Sequence, residues 1–136
     1  LMKHLCDMTE VVCGIIYNPK GEVLLCQRSA DMKHAGKWEF PGGKVHAGEN
    51  YFEALIREIK EELDIVVQPF KTGLSVDIEV KEKKLRLLPV LANFISGEIK
   101  LIEHQDFVWA TSKDVLQFDL LEGDVLLWKN LEKDIS

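Results

Sequence analysis

Three things are scarce or missing in this chain of 136 residues, and each absence closes off a class of protein. Cysteine is scarce: Cys6, Cys13 and Cys26 make an odd count with no C-x-x-C spacing. Such a set builds neither a disulfide framework nor a zinc ribbon, and reads as reduced thiols. Long apolar runs are missing, since none approaches the roughly 20 residues of a membrane span. The N-terminal stretch also lacks the layout of a signal peptide, so a cytoplasmic chain with no membrane partner is expected. Positive charge is in deficit, with 17 Lys and Arg against 23 Asp and Glu and a net charge of -6. A surface of that sign repels polyanions, so no nucleic-acid polymer is expected as a partner. A small phosphorylated ligand stays open, because a bound divalent cation inverts the local field.

What is present is ordinary for a globular domain: 46% hydrophobic and 29% charged residues. The length fits one domain over residues 2–136, with Leu1 ahead of Met2 set aside. A chain of this size buries roughly two-thirds of its unfolded surface and needs no covalent staple.

Residues 9–17 are β-branched and apolar, the pattern of a buried strand. Asn18-Pro19-Lys20-Gly21 is a turn, and residues 22–27 return as the second arm of a hairpin. A polar loop over 29–37 leads to WEFPGGK, where Pro41-Gly42-Gly43 forbids helix and permits close backbone approach. A helix is predicted over Tyr51–Leu63, with Asn50 as N-cap and Glu53 three residues on. Its apolar face is read as Phe52, Leu55, Ile56, Ile59 and Leu63. Strands are predicted over 72–80, 84–96 and 107–110, with Pro89 marking an edge or bulge. Thr111 or Ser112 is expected to cap a short helical turn through Leu116, and a last helix to run over 123–131. Trp38, Phe40, Trp109 and Trp128 read as core, and His46 and His104 as loop histidines. Strands before, between and after two helices make a mixed α/β or α+β sandwich.

The chemistry concentrates on the first helix. Glu58, Glu61 and Glu62 fall in one arc off the apolar stripe, with small Ala54 on the same side. Stacked carboxylates repel one another, and hard divalent cations that favour oxygen ligands relieve this. Glu49 precedes the helix by one turn, and the Gly-Gly bend offers bare carbonyls beside it. Arg57 has Glu53 and Glu61 at i−4 and i+4 and reads as an orienter of carboxylates.

Gly43, Glu49, Arg57, Glu58, Ile59, Glu61, Glu62 and Ile65 resemble the Nudix box, G-x5-E-x7-R-E-U-x-E-E-x-G-U, with U a bulky aliphatic. Asp64 departs from it, standing where the pattern has Gly. That position follows the helix and favours a left-handed backbone, which Asp tolerates better than most residues. Gln27-Arg28, WEFPGGK, Glu103-His104-Gln105, Trp109 and a Leu-rich last helix extend the resemblance to the MutT and CTP pyrophosphohydrolase branch.

The resemblance implies the Nudix α/β/α sandwich, with a mixed central sheet, a loop-helix-loop and a C-terminal helix. It also implies hydrolysis of a nucleoside triphosphate to the monophosphate and pyrophosphate with Mg²⁺ or Mn²⁺; a monomer or homodimer is expected, the sequence not distinguishing the two. By the same resemblance the metal ligands are Gly42 through its carbonyl, Glu49, Glu58, Glu61, Glu62 and Glu103. Catalytic roles fall on Glu58, Glu103 and Arg57, the general base being open between Glu58 and Glu103. A carboxylate bound directly to metal makes a poor base, so coordination decides between them. Substrate contacts fall on Arg28, Lys44 and Asp124.

Asp124 aligns with the residue that reads the base, although it could instead cap the last helix, and Glu122 lies two residues away. An ionised Asp only accepts hydrogen bonds, which suits the cytosine amino group and leans toward CTP, dCTP and 5-methyl-dCTP. A carboxylate also receives guanine N–H groups, so 8-oxo-dGTP is the alternative. The remote alternative is a non-catalytic Nudix-like module that binds a nucleotide or a protein.

Overall fold

The computed structural model describes residues 8–135, so Cys6 lies outside the described residues. Eight strands form one sheet: β1 (Met8–Tyr17), β2 (Val23–Gln27), β3 (Trp38–Glu39), β4 (Gly42–Lys44), β5 (Val66–Thr72), β6 (Val76–Val80), β7 (Lys83–Ser96) and β8 (Asp106–Ala110). The helices are α1 (Tyr51–Leu63) and α2 (Glu122–Ile135). No helix among the described residues is long and apolar enough to cross a membrane.

The β1–β2 hairpin closes where the Asn18 side chain accepts the Lys20 and Glu22 N–H groups. Gly21 takes a φ of 78° in that turn, a conformation other residues resist. β1 then runs parallel to β7 from Met8↔Lys84 to Tyr17↔Asn93, while every other strand pairing is antiparallel. The sheet is therefore mixed, as expected.

Strand alternation sorts the core into two layers. Val12, Ile16, Leu24 and Cys26 face α1, packing with Leu55, Ile59 and Leu63. Cys13, Ile15, Val23 and Leu25 face α2, packing with Leu127, Trp128 and Leu131. Each fully buried aliphatic contributes about 2 kcal/mol, so both helices are held chiefly by these contacts. The result is the α/β/α sandwich.

Several sequence expectations change. The buried arc of α1 consists of Ala54, Leu55, Ile59, Glu62 and Leu63, while Phe52 and Ile56 are exposed. The stripe is thus rotated toward the glutamates. Ala54 sits in the core and leaves no room above them. WEFPGGK contains two short strands, and 66–72 is a strand the pattern does not reveal. Of the predicted strand over 72–80, residues 76–80 pair with β7.

Pro89 is neither on an edge nor in a bulge. It lies in the central strand β7, where the outer partner changes from β6 to β5. Its carbonyl accepts the Gly73 N–H on that side, so its missing N–H faces the gap between the two ladders. The short turn is a 3₁₀ segment, Val115–Gln117, following Asp114 rather than Thr111 or Ser112. α2 begins at Glu122, which puts Asp124 inside the first turn and removes it as an N-cap.

Candidate active site

β1 and β2 pair only at Tyr17↔Val23 and then part. β4 takes the free edge of β1 and β3 takes that of β2, with Pro41 crossing between them. This split opens a cleft in the sheet, and the glycines occupy its rim. A Cβ on Gly42 would strike the Val12 carbonyl, and one on Gly43 would strike the Glu58 carboxylate. Antiparallel alternation turns the Gly42 and Lys44 carbonyls away from β1, and Arg57 holds that of Lys44 at 3.0 Å.

The helix start is built as its sequence predicts. Asn50 accepts the Glu53 N–H at 2.8 Å and the Glu53 carboxylate accepts the Asn50 N–H at 2.9 Å. Glu53 is thereby committed to the cap and does not reach Arg57. Arg57 binds Glu49 through Nε at 2.5 Å and through Nη2 at 3.0 Å. Its Nη1 donates to Glu58 at 2.9 Å and to Glu61 at 3.3 Å. The guanidinium holds the Glu49 carboxyl down at about 2, aided by the His46 N–H. These four acceptors make Arg57 the organiser of the site's outer half.

Glu58 and Glu62 come together, and Glu62 is almost fully buried. Burial raises its carboxyl far above the ordinary range, followed by contact with Glu58 and the charges of Glu58, Glu103 and Glu39. Its Oε2 has no hydrogen-bond partner. Glu61 is turned outward, its side chain 58% exposed. Glu103 is exposed on the loop between β7 and β8, close enough for its charge to act on Glu62. Among the described residues no three such groups already converge as a closed ligand set, and Glu49, Glu58 and Glu61 are gathered on Arg57 instead.

Two residues escape a reading of the sequence. His104 is no solvent-facing loop residue: its side chain is wholly buried, and Nε2 contacts Glu39 Oε2 at 2.8 Å. Its Nδ1 lies 3.9 Å from Glu62 Oε1 and has no hydrogen-bond partner. Glu39 also binds Arg28 Nη1 at 2.8 Å. The loop that carries His104 is tied down on both sides, by the Lys100 and Ile102 N–H groups to α1 and the Gln105 N–H to β2. Glu39 has one local signal, an acid alternating with Trp38 and Phe40. His104 has none.

On the α2 face lies a cavity of about 780 Å³, lined in part by Arg28, Glu39, Phe40, Gly42, Asp124 and Leu126. Arg28 is fixed there by Glu39 and by the Lys33 carbonyl at 2.6 Å. Asp124 is buried and its Oδ2 accepts the Phe40 N–H at 3.0 Å. Burial pushes its carboxyl up to about 8. At neutral pH Asp124 is therefore mainly protonated and offers a donor as well as an acceptor, which corrects the acceptor-only argument. Glu122 is exposed, and Lys44 is exposed beside the bend.

The carboxylates fit a divalent cation. A buried, unpartnered oxygen on Glu62, a second carboxylate pressed against it, and a bend with no room for a side chain beside Glu58 together form an oxygen-rich cradle short of positive charge.

A family model for the NUDIX domain matches residues 8–124. The chain is 38% identical over 120 residues to the CTP pyrophosphohydrolase of Escherichia coli (strain K12), covering 88% of each protein. It is 36% identical over 89 residues to that organism's 8-oxo-dGTP diphosphatase, covering 65% of this chain and 69% of the relative. The crystal structure of MutT protein from Methanosarcina mazei Go1 superposes with a TM-score of 0.85 at 30% identity, covering 95% of this chain and 96% of that one. Members of the family generally require divalent cations. These matches show that the chain belongs to the Nudix hydrolase family.

Proposed function

We propose that this chain, as one Nudix domain, hydrolyses a nucleoside triphosphate to the monophosphate and pyrophosphate, with Mg²⁺ or Mn²⁺ as cofactor. The observation that carries the reading is the Glu58–Glu62 carboxyl pair, one of whose oxygens is buried and unpartnered, packed against Gly43, the chain neighbour of Gly42 in the wall of a substrate-sized cavity. Glu58 and Glu62 would hold the cation, with Glu61, Glu49, Glu103 and the Gly42 carbonyl completing or supporting the set. A cation held there would supply positive charge against that developing on the phosphates and the leaving pyrophosphate.

The chain's own groups do the rest. Arg57 keeps Glu49 ionised and holds the Glu58 carboxyl in line. Glu103, exposed and outside the Arg57 network, is free to take a proton from the attacking water, whereas Glu58 is engaged in the carboxyl pair. Arg28 has a terminal nitrogen left for a phosphate oxygen, and Lys44 stands beside the bend for another. Asp124 reads the base. Its protonated carboxyl can donate to cytosine N3 and accept from the N4 amino group, and the CTP pyrophosphohydrolase relative favours this choice.

The same carboxyl can donate to guanine O6 and accept from N1–H, which with the 8-oxo-dGTP diphosphatase relative supports a second reading. The proposal includes a cytoplasmic chain, monomeric or homodimeric, acting on small nucleotides. The test is kcat/KM for dCTP, 5-methyl-dCTP, dGTP and 8-oxo-dGTP with Mg²⁺. A cytosine nucleotide should lead. A lead of tenfold or more for 8-oxo-dGTP would replace the first reading with the second. No pyrophosphate release across the panel would favour a non-catalytic module.

A further inference from the structure

We propose that Glu39 and His104 form a positioning pair that fixes the Glu62 carboxylate relative to the Arg28 guanidinium at the cavity. This deepens the reaction proposed above and rests on it. Two hydrogen bonds and one close approach carry it: Arg28 Nη1 to Glu39 Oε1 at 2.8 Å, Glu39 Oε2 to His104 Nε2 at 2.8 Å, and His104 Nδ1 lying 3.9 Å from Glu62 Oε1. Both Glu39 oxygens are engaged, one on each side.

A wholly buried imidazole is a costly filler where an aliphatic side chain would pack. Its ring is set by the contact it makes. A carboxylate oxygen accepts, so Nε2 carries the hydrogen toward Glu39, and the bare Nδ1 borders Glu62 Oε1 at 3.9 Å without a hydrogen bond, as a fixed wall rather than a donor. The backbone on either side is pinned, Ile102 N–H to the Glu62 carbonyl and Gln105 N–H to the Gln27 carbonyl. His104 therefore has one place to be, and Glu62 has a fixed neighbour on its buried side. Groups that orient a ligand from behind commonly control the ligand's affinity for its cation.

The substitutions follow from atom positions. A Gln amide nitrogen reaches the Nε2 position and keeps the hydrogen bond to Glu39, whereas Leu fills the space and donates nothing. Mn²⁺ binding is measured without nucleotide, from the electron paramagnetic resonance signal of free Mn²⁺, alongside kcat and KM with Mg²⁺ and a thermal melt. His104→Leu should weaken Mn²⁺ binding and lower kcat, each by about tenfold or more, while His104→Gln stays within about threefold of the parent. Glu39→Gln should raise KM by freeing Arg28 and weaken Mn²⁺ binding as well.

A folded His104→Leu variant that binds Mn²⁺ like the parent overturns the pairing. So does a His104→Gln variant as impaired as His104→Leu, because packing alone would then explain both. If His104→Leu does not fold, Glu39→Gln decides: unchanged KM and Mn²⁺ binding overturn the pairing. A parent chain that binds no Mn²⁺ overturns the proposed reaction and the pairing with it.

Discussion

Glu62 on α1 and Asp124 on α2 are each 4% exposed, on opposite faces of one sheet, and burial raises the carboxyl of both. Their surroundings differ. Asp124 receives the Phe40 N–H, and its charged neighbours are mixed, Glu39 raising and Arg28 lowering its carboxyl. Glu62 has an oxygen with no partner and the charges of Glu58, Glu103 and Glu39 around it. Burial alone therefore does not mark a cation site. A carboxyl with a donor is a settled part of the fold, suited to reading a ligand. A carboxyl crowded by its own kind and short of donors is stable only when something positive, a proton or a metal ion, arrives.

Removing the Glu62 charge is the strongest way to break that contrast. Glu62→Gln should lower kcat with Mg²⁺ by about 10²-fold or more. Its melting midpoint should hold or rise, since the change relieves repulsion. A variant with parental kcat would put Glu62 in the same class as Asp124. Next comes Gly43→Ala, which touches Glu62 only through Glu58. The added methyl must displace the Glu58 carboxylate, the far end of a flexible side chain, so the cost in stability is at most about 1 kcal/mol. A kcat near one-tenth of the parent, read beside a thermal melt, is the expected outcome on this scale of misplacement.

Asp124→Asn sharpens the other side. The folded carboxyl sits at about 8, above its ordinary value of 3.8, so folding favours the protonated form. Its contribution to stability is full below about pH 4 and is lost as pH rises through 8. Asn cannot ionise, so the variant should show a flatter stability curve and exceed the parent above pH 8. The upper bound on that gain is about 1.4 kcal/mol for each tenfold difference in proton affinity between the folded and unfolded chain. Urea unfolding at pH 5, 7 and 9 measures it. The ranking of dCTP against 8-oxo-dGTP should move little at pH 7, because Asn and a protonated Asp offer the same donor and acceptor.

Legibility in the sequence follows the range of the interactions. The capping box, the Arg57–Glu61 contact and the clustering of Glu58 with Glu62 are set within two helical turns, so spacing reveals them, whereas the Glu53 contact it also suggests is lost to the cap. Glu39 and His104 meet across 65 positions, and no local pattern announces such a contact. The register of α1 is hidden because Phe52 and Ile56 are as apolar as Leu55. Only the sheet packed beneath decides which of them it covers. Ala54 and Glu62 lie over that sheet instead. β5 leaves no clear signal because Gln68, Pro69 and Lys71 interrupt its apolar pattern on an edge strand with much of its surface in solvent.

The smallest predicted effect is a control on Glu62's own helix. α1 ends in Asp64 at φ 55° and ψ 37°, the left-handed position where the family pattern carries Gly. Lys60 at 2.9 Å and Lys100 at 3.1 Å offset part of the strain of that backbone, and they also lower the Asp64 carboxyl. Both lysines are largely exposed, and exposed ion pairs are weak and screened by salt. Asp64→Gly removes the backbone strain and these weak pairs together. The midpoint should rise by about 2 °C, and more in 0.5 M salt than at low ionic strength, where the lost pairs matter most. kcat should not change, since Glu62 keeps its burial, its neighbours and its unpartnered oxygen. A kcat loss here would mean that the end of α1 controls where the Glu62 carboxylate sits. The contrast with Asp124 would then rest on the mobility of the helix end rather than on the charges around each acid.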